Sequence, residues 1–304
     1  VNGVFMNVLS LFDGMSCGRI ALERAGIKVT NYFASEIDKY AIKVSQHNWN
    51  DVTHIGDVTK VSFVNGTLKT EIGDFKIERI DLIIAGSPCQ GFSMAGKQLA
   101  FDDERSKLYF EFERILKEIQ TENPEVRFLL ENVKMKQEYK DVISERLGVS
   151  PVAINSNLVS AQNRYRLYWT NICEITQPQD KGILLKDILQ DVVDSKYNIT
   201  HFVGGVPRSN YMQFNLNGKG NNSQSQRCYY VTSKSRCLDC SAVAKIIDND
   251  VVRKLTPEEC EKLQTVPVGY TSCVSDSQRY KMLGNGWTVD VISHILGELN
   301  DNTI

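Results

Sequence analysis

No stretch of the 304 residues stays apolar for the roughly 18 positions that a membrane-spanning helix needs, so no membrane partner is expected. The opening Val1 to Met6 has neither the basic segment nor the small-residue cleavage site of a secretory signal, and a cytoplasmic location is expected from that. A P-loop lysine and a glycine-rich helix start are both missing, which excludes a phosphate cradle, and the dinucleotide glycine pattern is not met either. Cysteines show no second paired spacing. Cys237-Leu238-Asp239-Cys240 invites a zinc reading, but only Cys228 and His201 could complete a ligand set in that region, so no metal is expected. The eight cysteines (17, 89, 173, 228, 237, 240, 260 and 273) are scattered through a chain too long to need disulfide staples. Free thiols are expected, and all but Cys89 read as small core residues.

Negative charge is in slight excess over the whole chain, at a net −2, which looks wrong for a protein that binds nucleic acid. The distribution says otherwise. From Lys196 to Lys245, seven basic residues (Lys196, Arg208, Lys219, Arg227, Lys234, Arg236 and Lys245) face a single acid, Asp239. The length suits one α/β domain of about 200 to 250 residues carrying an insertion.

Short apolar runs alternate with amphipathic stretches through the first 170 residues, the pattern of a doubly wound, mostly parallel sheet covered by helices. Strands are predicted at 7–12, 31–35, 54–58, 81–85 and 127–131. Leu108, Phe112, Ile115, Leu116 and Ile119 recur at helical spacing and predict a helix over 107–120, stopped before Pro124. Between about Cys173 and Asp250 the texture turns to Asn, Gln, Ser, Gly and Tyr, which reads as a smaller loop-rich domain. Thr256-Pro257-Glu258-Glu259 then forms a capping-box pattern. The expected division is 1–172, 173–252 and 253–304, the last segment rejoining the first domain.

The first strand runs into Phe12-Asp13-Gly14-Met15-Ser16-Cys17-Gly18, and a helix from Arg19 to Arg24 follows. Ligands of doubly wound sheets lie beyond the carboxyl ends of the strands, where glycine lets backbone approach closely. Glu36 at the end of the second strand suits a ribose diol, and Asp57 at the end of the third suits an adenine amino group. Both positions also suit solvent-facing residues at loop starts. The fourth strand leads into Gly86-Ser87-Pro88-Cys89-Gln90-Gly91-Phe92-Ser93, turn residues that expose the Cys89 thiol as a nucleophile. The fifth ends at Glu131-Asn132-Val133 and brings a carboxylate to the same edge. Arg164 and Arg166 flank Tyr165 on one predicted strand and so would share a face.

Ser87-Pro88-Cys89-Gln90, Glu131-Asn132-Val133, Gln162-Asn163-Arg164-Tyr165-Arg166 and Leu283-Gly284-Asn285-Gly286-Trp287-Thr288-Val289 resemble, in order, signature motifs of the cytosine-C5 DNA methyltransferases. Phe12-Asp13-Gly14 and Trp287 look closest to the animal de novo branch. Ser16 and Cys17 stand where most members carry two glycines. The resemblance implies the S-adenosylmethionine-dependent methyltransferase fold and S-adenosyl-L-methionine as methyl donor. It places that donor against Phe12, Asp13, Gly14, Met15, Ser16, Cys17, Glu36, Ile37, Asp57, Val58, Ser87, Asn285 and Trp287. It makes Cys89 the nucleophile at C6 of a flipped cytosine and Glu131 the group that holds the same ring, with Arg164 and Arg166 orienting the base and lowering the thiol pKa.

The resemblance also makes the basic region a target-recognition domain for double-stranded DNA, with Ser93, Arg227, Lys234 and Arg236 as DNA contacts. With no endonuclease domain or long regulatory region in view, a compact bacterial or phage enzyme is expected, cytoplasmic, and a monomer or weak homo-oligomer. Two other readings stay open. One branch of the family modifies tRNA, though its Cys-Phe-Thr motif is not found here. A silent regulator on the same fold would have no reason to keep Cys89, Glu131 and Arg164 together.

Overall fold

A computed structural model describes residues 5–87, 107–199, 205–214, 227–240, 243–249 and 251–301. Cys89 and Ser93 lie outside the described residues. By contact density the chain forms two compact units, one of residues 1–154, 165–177 and 292–304, the other of 155–164 and 178–291.

In the first unit β1 (Phe5–Leu11), α1 (Cys17–Arg24), β2 (Lys28–Ser35), α2 (Lys39–Asn48) and β3 (Val52–Gly56) alternate. A small antiparallel meander follows, made of β4 (Ser62–Val64), β5 (Thr67–Thr70) and β6 (Gly73–Lys76). Then come β7 (Leu82–Gly86), α3 (Lys107–Glu122), β8 (Arg127–Val133), α4 (Gln137–Leu147) and β9 (Val152–Asn155). After the two-residue β10 (Gln162–Asn163), β11 (Tyr165–Thr170) closes a seven-stranded sheet of order β3-β2-β1-β7-β8-β11-β9. The fold is therefore the doubly wound α/β arrangement of a methyltransferase. β11 runs antiparallel to β8, which makes the sheet mixed.

The central strands explain why the sheet is legible. Leu82, Ile83, Ile84 and Ala85 of β7 are all fully buried, as a parallel strand covered on both faces requires. Tyr109, Phe112, Ile115, Leu116 and Ile119 of α3 recur at three and four residues and face the same core. Observed strands start or end up to three residues away from the predicted bounds, since polar positions such as Lys28 and Thr30 continue β2 outward without apolar alternation.

The second unit holds a five-stranded sheet of order β12 (Gly205–Pro207), β13 (Tyr211–Phe214), β14 (Arg227–Tyr230), β16 (Lys245–Asp248) and β17 (Val251–Lys254), with β15 (Ser235–Arg236) paired to β10. After it come α5 (Pro257–Leu263) and α6 (Asp276–Asn285), and then α7 (Val289–Asp301), which from residue 292 belongs to the first unit. α5 starts on the expected capping box: Thr256 Oγ1 accepts from Glu259 N at 3.1 Å, and Glu259 Oε2 accepts from Thr256 N at 2.8 Å. Two buried arginines fix this unit. Arg253 pairs with Glu259 at 2.8 Å and Asp248 at 3.0 Å, and Arg279 pairs with Glu258 at 2.7 Å and Glu261 at 3.1 Å. Among the described residues no helix is long and apolar enough to cross a membrane.

Candidate active site

β1, β2, β3, β7 and β8 are parallel neighbours, so their carboxyl ends share one edge. The strand order reverses between β1 and β7, and a crevice opens at such a switch point. The loop after β1 turns sharply, with Phe12, Gly14 and Ser16 all at positive φ (57°, 61° and 63°). A Cβ built on Gly14 would meet nothing within 4 Å, so the backbone there is open to close approach. Met15 and Cys17, by contrast, are buried into the core beneath the loop.

Glu36 organises this edge. Its Oε2 accepts from Gly14 N at 2.8 Å, and its Oε1 accepts from Ile37 N and Asp38 N, each at 2.8 Å. Ile37 beside it is 74% exposed, an apolar flank that the described residues leave uncovered. Asp57 begins the short turn after β3, where its carboxylate accepts from Thr59 N at 2.9 Å and Val58 is buried. A carboxylate that can accept from a diol, another that can accept from an amino group and an exposed aliphatic side chain are what S-adenosyl-L-methionine needs at its adenosine end. The residues fit that cofactor.

Asp13 behind the loop is nearly buried. Its carboxylate accepts from Ser16 Oγ at 2.5 Å and from Tyr32 Oη at 2.6 Å, yet burial pushes its pKa up to about 6.

At the other half of the edge, Glu131 on β8 is in register with Gly86 on β7, three residues before Cys89. Asn132 Nδ2 donates to Ser87 Oγ at 2.9 Å and ties the two strand ends together. Arg166 of β11 brings its Nε to 2.8 Å from Glu131 Oε1, both side chains largely enclosed. This ion pair holds the carboxylate in one orientation.

Arg164 does not share a strand with Arg166. The two arginines were expected on one face of one strand, but the chain breaks between β10 and β11, and Arg164 belongs to the second unit. There its guanidinium donates to the carbonyls of Leu238 at 3.0 Å, Gly284 at 3.2 Å and Gly286 at 2.7 Å. A cation whose protons are committed to buried carbonyls fixes backbone, in this case the turn that carries Asn285 and Trp287. Gln264 works on the same turn, donating to the carbonyls of Leu283 at 2.6 Å and Gly286 at 3.1 Å and accepting from Thr288 Oγ1 at 2.9 Å. Gln264 escaped the sequence reading, as did Ser45 and His54, although a serine on the buried face of α2 beside Ala41 and Val44 was a visible signal.

The expected DNA contacts differ among themselves. Lys234 turns inward, its ammonium on the carbonyls of Asn157 and Ser160, and burial lowers its pKa. Two of its three protons are thereby held by backbone. Arg227 stacks at 4.8 Å over the Tyr211 ring, and Arg236 pairs with Asp239 at 2.9 Å. The cysteines also correct one expectation. Cys17, Cys228 and Cys260 are buried, but Cys173 and Cys240 are exposed and Cys237 is only half-buried. Among the described residues no group of three or more His, Cys, Asp or Glu side chains could hold a metal ion.

A family model described as "C-5 cytosine-specific DNA methylase" matches residues 6–174 and 153–301. The chain is 33% identical over 316 residues to the type II methyltransferase M1.ScrFI of Lactococcus lactis subsp. cremoris, covering 96% of this chain and 77% of that one. It is 31% identical to the type II methyltransferase M.NlaX of Neisseria lactamica, covering 96% and 95%. A methyltransferase structure from Entamoeba histolytica, EhMeth, superposes with a TM-score of 0.73 at 18% identity, covering 99% of each chain, which shows the shared fold. The sequence relatives are bacterial, and nothing in them speaks for special closeness to the animal de novo branch. Matched along nearly its whole length, the chain belongs to the C-5 cytosine-specific DNA methylase family and carries out S-adenosyl-L-methionine-dependent methylation at cytosine C5.

Proposed function

We propose that this chain is a bacterial or phage cytosine-5 methyltransferase that modifies one short sequence in double-stranded DNA through a covalent bond between Cys89 and the target base. The observation that carries the reading is the Glu131–Arg166 pair, in register with the strand end that leads to Cys89. Cytosine C5 is too poor a nucleophile to be methylated unaided. Addition of the Cys89 sulfur to C6 breaks the ring's aromaticity and makes C5 electron-rich. Glu131 in its acid form donates a proton to N3 and accepts from the amino group, neutralising the charge that develops on the ring, while Arg166 keeps that side chain in place. After C5 has lost its proton the sulfur leaves and the double bond returns. S-adenosyl-L-methionine supplies the electrophilic methyl group when bound. Gly14, Glu36, Ile37 and Asp57 would hold its adenosine, with Phe12, Asp13, Met15, Ser16, Cys17, Val58 and Ser87 framing the loop ends. Asn285 and Trp287 join them on the motif likeness alone.

The target atom is stacked inside a duplex, so the base must be flipped out before the sulfur can reach it. Residues 173–252 are the reader, with Ser93, Arg227, Lys234 and Arg236 as contacts to DNA, and 1–172 with 253–304 the catalytic part. A cytoplasmic site of action, a monomer or weak homo-oligomer and a role in restriction-modification complete the reading. The likeness of Phe12-Asp13-Gly14 and Trp287 to the animal de novo branch is confined to those two motifs.

A duplex carrying 5-fluorocytosine at the target tests the chemistry, because fluorine at C5 leaves no proton to lose and the adduct cannot break down. The wild type, given cofactor, is expected to form a complex that survives denaturing gels. Cys89→Ala should form none, and Glu131→Gln should form it about a hundredfold more slowly. An adduct of undiminished yield with Cys89→Ala would overturn the assignment.

A further inference from the structure

Behind the cofactor edge a line of buried polar side chains crosses the first unit. Tyr32 Oη lies 2.6 Å from Asp13 Oδ1, Ser16 Oγ lies 2.5 Å from Asp13 Oδ2 and 2.6 Å from Ser45 Oγ, and Ser45 Oγ lies 3.1 Å from His54 Nε2. We propose that this chain, Tyr32–Asp13–Ser16–Ser45–His54, is a positioning device that holds the three cofactor-bearing segments in one mutual geometry. The proposal rests on the reading of that edge as the cofactor site.

Proton counting fixes the direction of every link. A hydroxyl has one proton to give, and an ionised carboxylate can only accept. Ser16 spends its proton on Asp13, so Ser45 must donate to Ser16. Ser45 has then nothing left to give, so His54 must donate its Nε2–H to Ser45. That leaves Nδ1 bare on a neutral ring. Among the described residues Nδ1 is buried with no hydrogen-bond partner, and burial lowers the His54 pKa, as a neutral imidazole in this tautomer requires.

The links run between different elements. Asp13 and Ser16 frame Gly14 after β1, Ser45 sits on α2, which begins just past Glu36, and His54 lies on β3, which ends just before Asp57. The backbone argues that the hydroxyl is there for a purpose. Ser16 has a φ of 63°, a conformation that favours glycine, and glycine there would cut the chain in two. Acid should reorder it. Asp13 is faced by Tyr32 from β2, by Glu36 beyond it and, through the two serines, by His54 from β3. Burial holds its pKa at about 6, and once protonated it becomes a donor, so the directions of the links from Ser16 to His54 must reverse.

Calorimetric titration of the full chain with S-adenosylhomocysteine at neutral pH tests this. Ser45→Ala and His54→Leu are each expected to bind about tenfold more weakly, because each leaves a buried donor or acceptor unsatisfied. His54→Gln keeps an N–H donor and should retain most of the affinity. In turnover the losses should appear in the KM for the methyl donor, with kcat and the KM for DNA within twofold of wild type. A merely structural role would move melting temperature in both His54 variants and leave that KM alone. Glu36→Ala is the control for the site itself. If it binds poorly while Ser45→Ala and His54→Leu bind within twofold of wild type, the positioning role is wrong; if Glu36→Ala binds as wild type, the site reading fails and the proposal falls with it. Should Ser45→Ala not fold, the His54 pair decides alone.

Discussion

Burial raises the Asp13 carboxyl from 3.8 to about 6, against the hydroxyls of Ser10, Ser16 and Tyr32 that pull it down. A group whose folded pKa exceeds its unfolded value binds its proton more tightly in the folded state. Its contribution is therefore complete below pH 3.8 and is lost as pH rises through about 6, a span worth about 3 kcal/mol. Asp13→Asn cannot titrate. Its stability relative to wild type should climb by roughly that amount between acid and neutral pH, read from urea unfolding at a series of pH values, whereas parallel curves would show that Asp13 is not held up. Legibility at this scale follows locality. Cys89, Glu131 and Asp57 stand out in the sequence as candidates because strand ends and turn residues flank them there. Ser45 and His54 do not, since what gives them meaning is a partner on another element. Arg164 misled for the same reason, its carbonyl partners lying 74 to 122 residues further on.

The elements were legible in proportion to their burial. β7 and α3 carry unbroken apolar patterns and were placed nearly to the residue, whereas β4, β5 and β6, only three or four residues each, have too few positions to show a period. The five-stranded sheet of the second unit was hidden for a related reason: β12, β13, β14, β16 and β17 are equally short and rich in polar residues. α5 was legible through its cap, and the cap is testable. Thr256 Oγ1 also lies 2.6 Å from Gln190 Oε1, so Thr256→Ala removes two buried interactions at one helix end. A loss of about 1 to 2 kcal/mol is expected, visible in denaturant unfolding with an unchanged slope. No loss would mean that the helix start is held by Arg253 and Glu259 without the threonine.

For the whole molecule the proposed function assigns chemistry and recognition to different parts of one chain. A net charge of −2 conceals a basic stretch within 196–245, and part of that stretch is occupied internally, as Lys234 and Arg236 show. Sequence specificity cannot be read from charge alone, because phosphate contacts set register while base edges carry the code. The central claim is nonetheless simple to examine in a cell. Bisulfite sequencing of plasmid DNA from cells expressing the wild type should show methylated cytosines confined to one short context, and Cys89→Ala, expressed to the same level, should show none. An absence of methylation with folded wild type, or an undiminished pattern with Cys89→Ala, would contradict it.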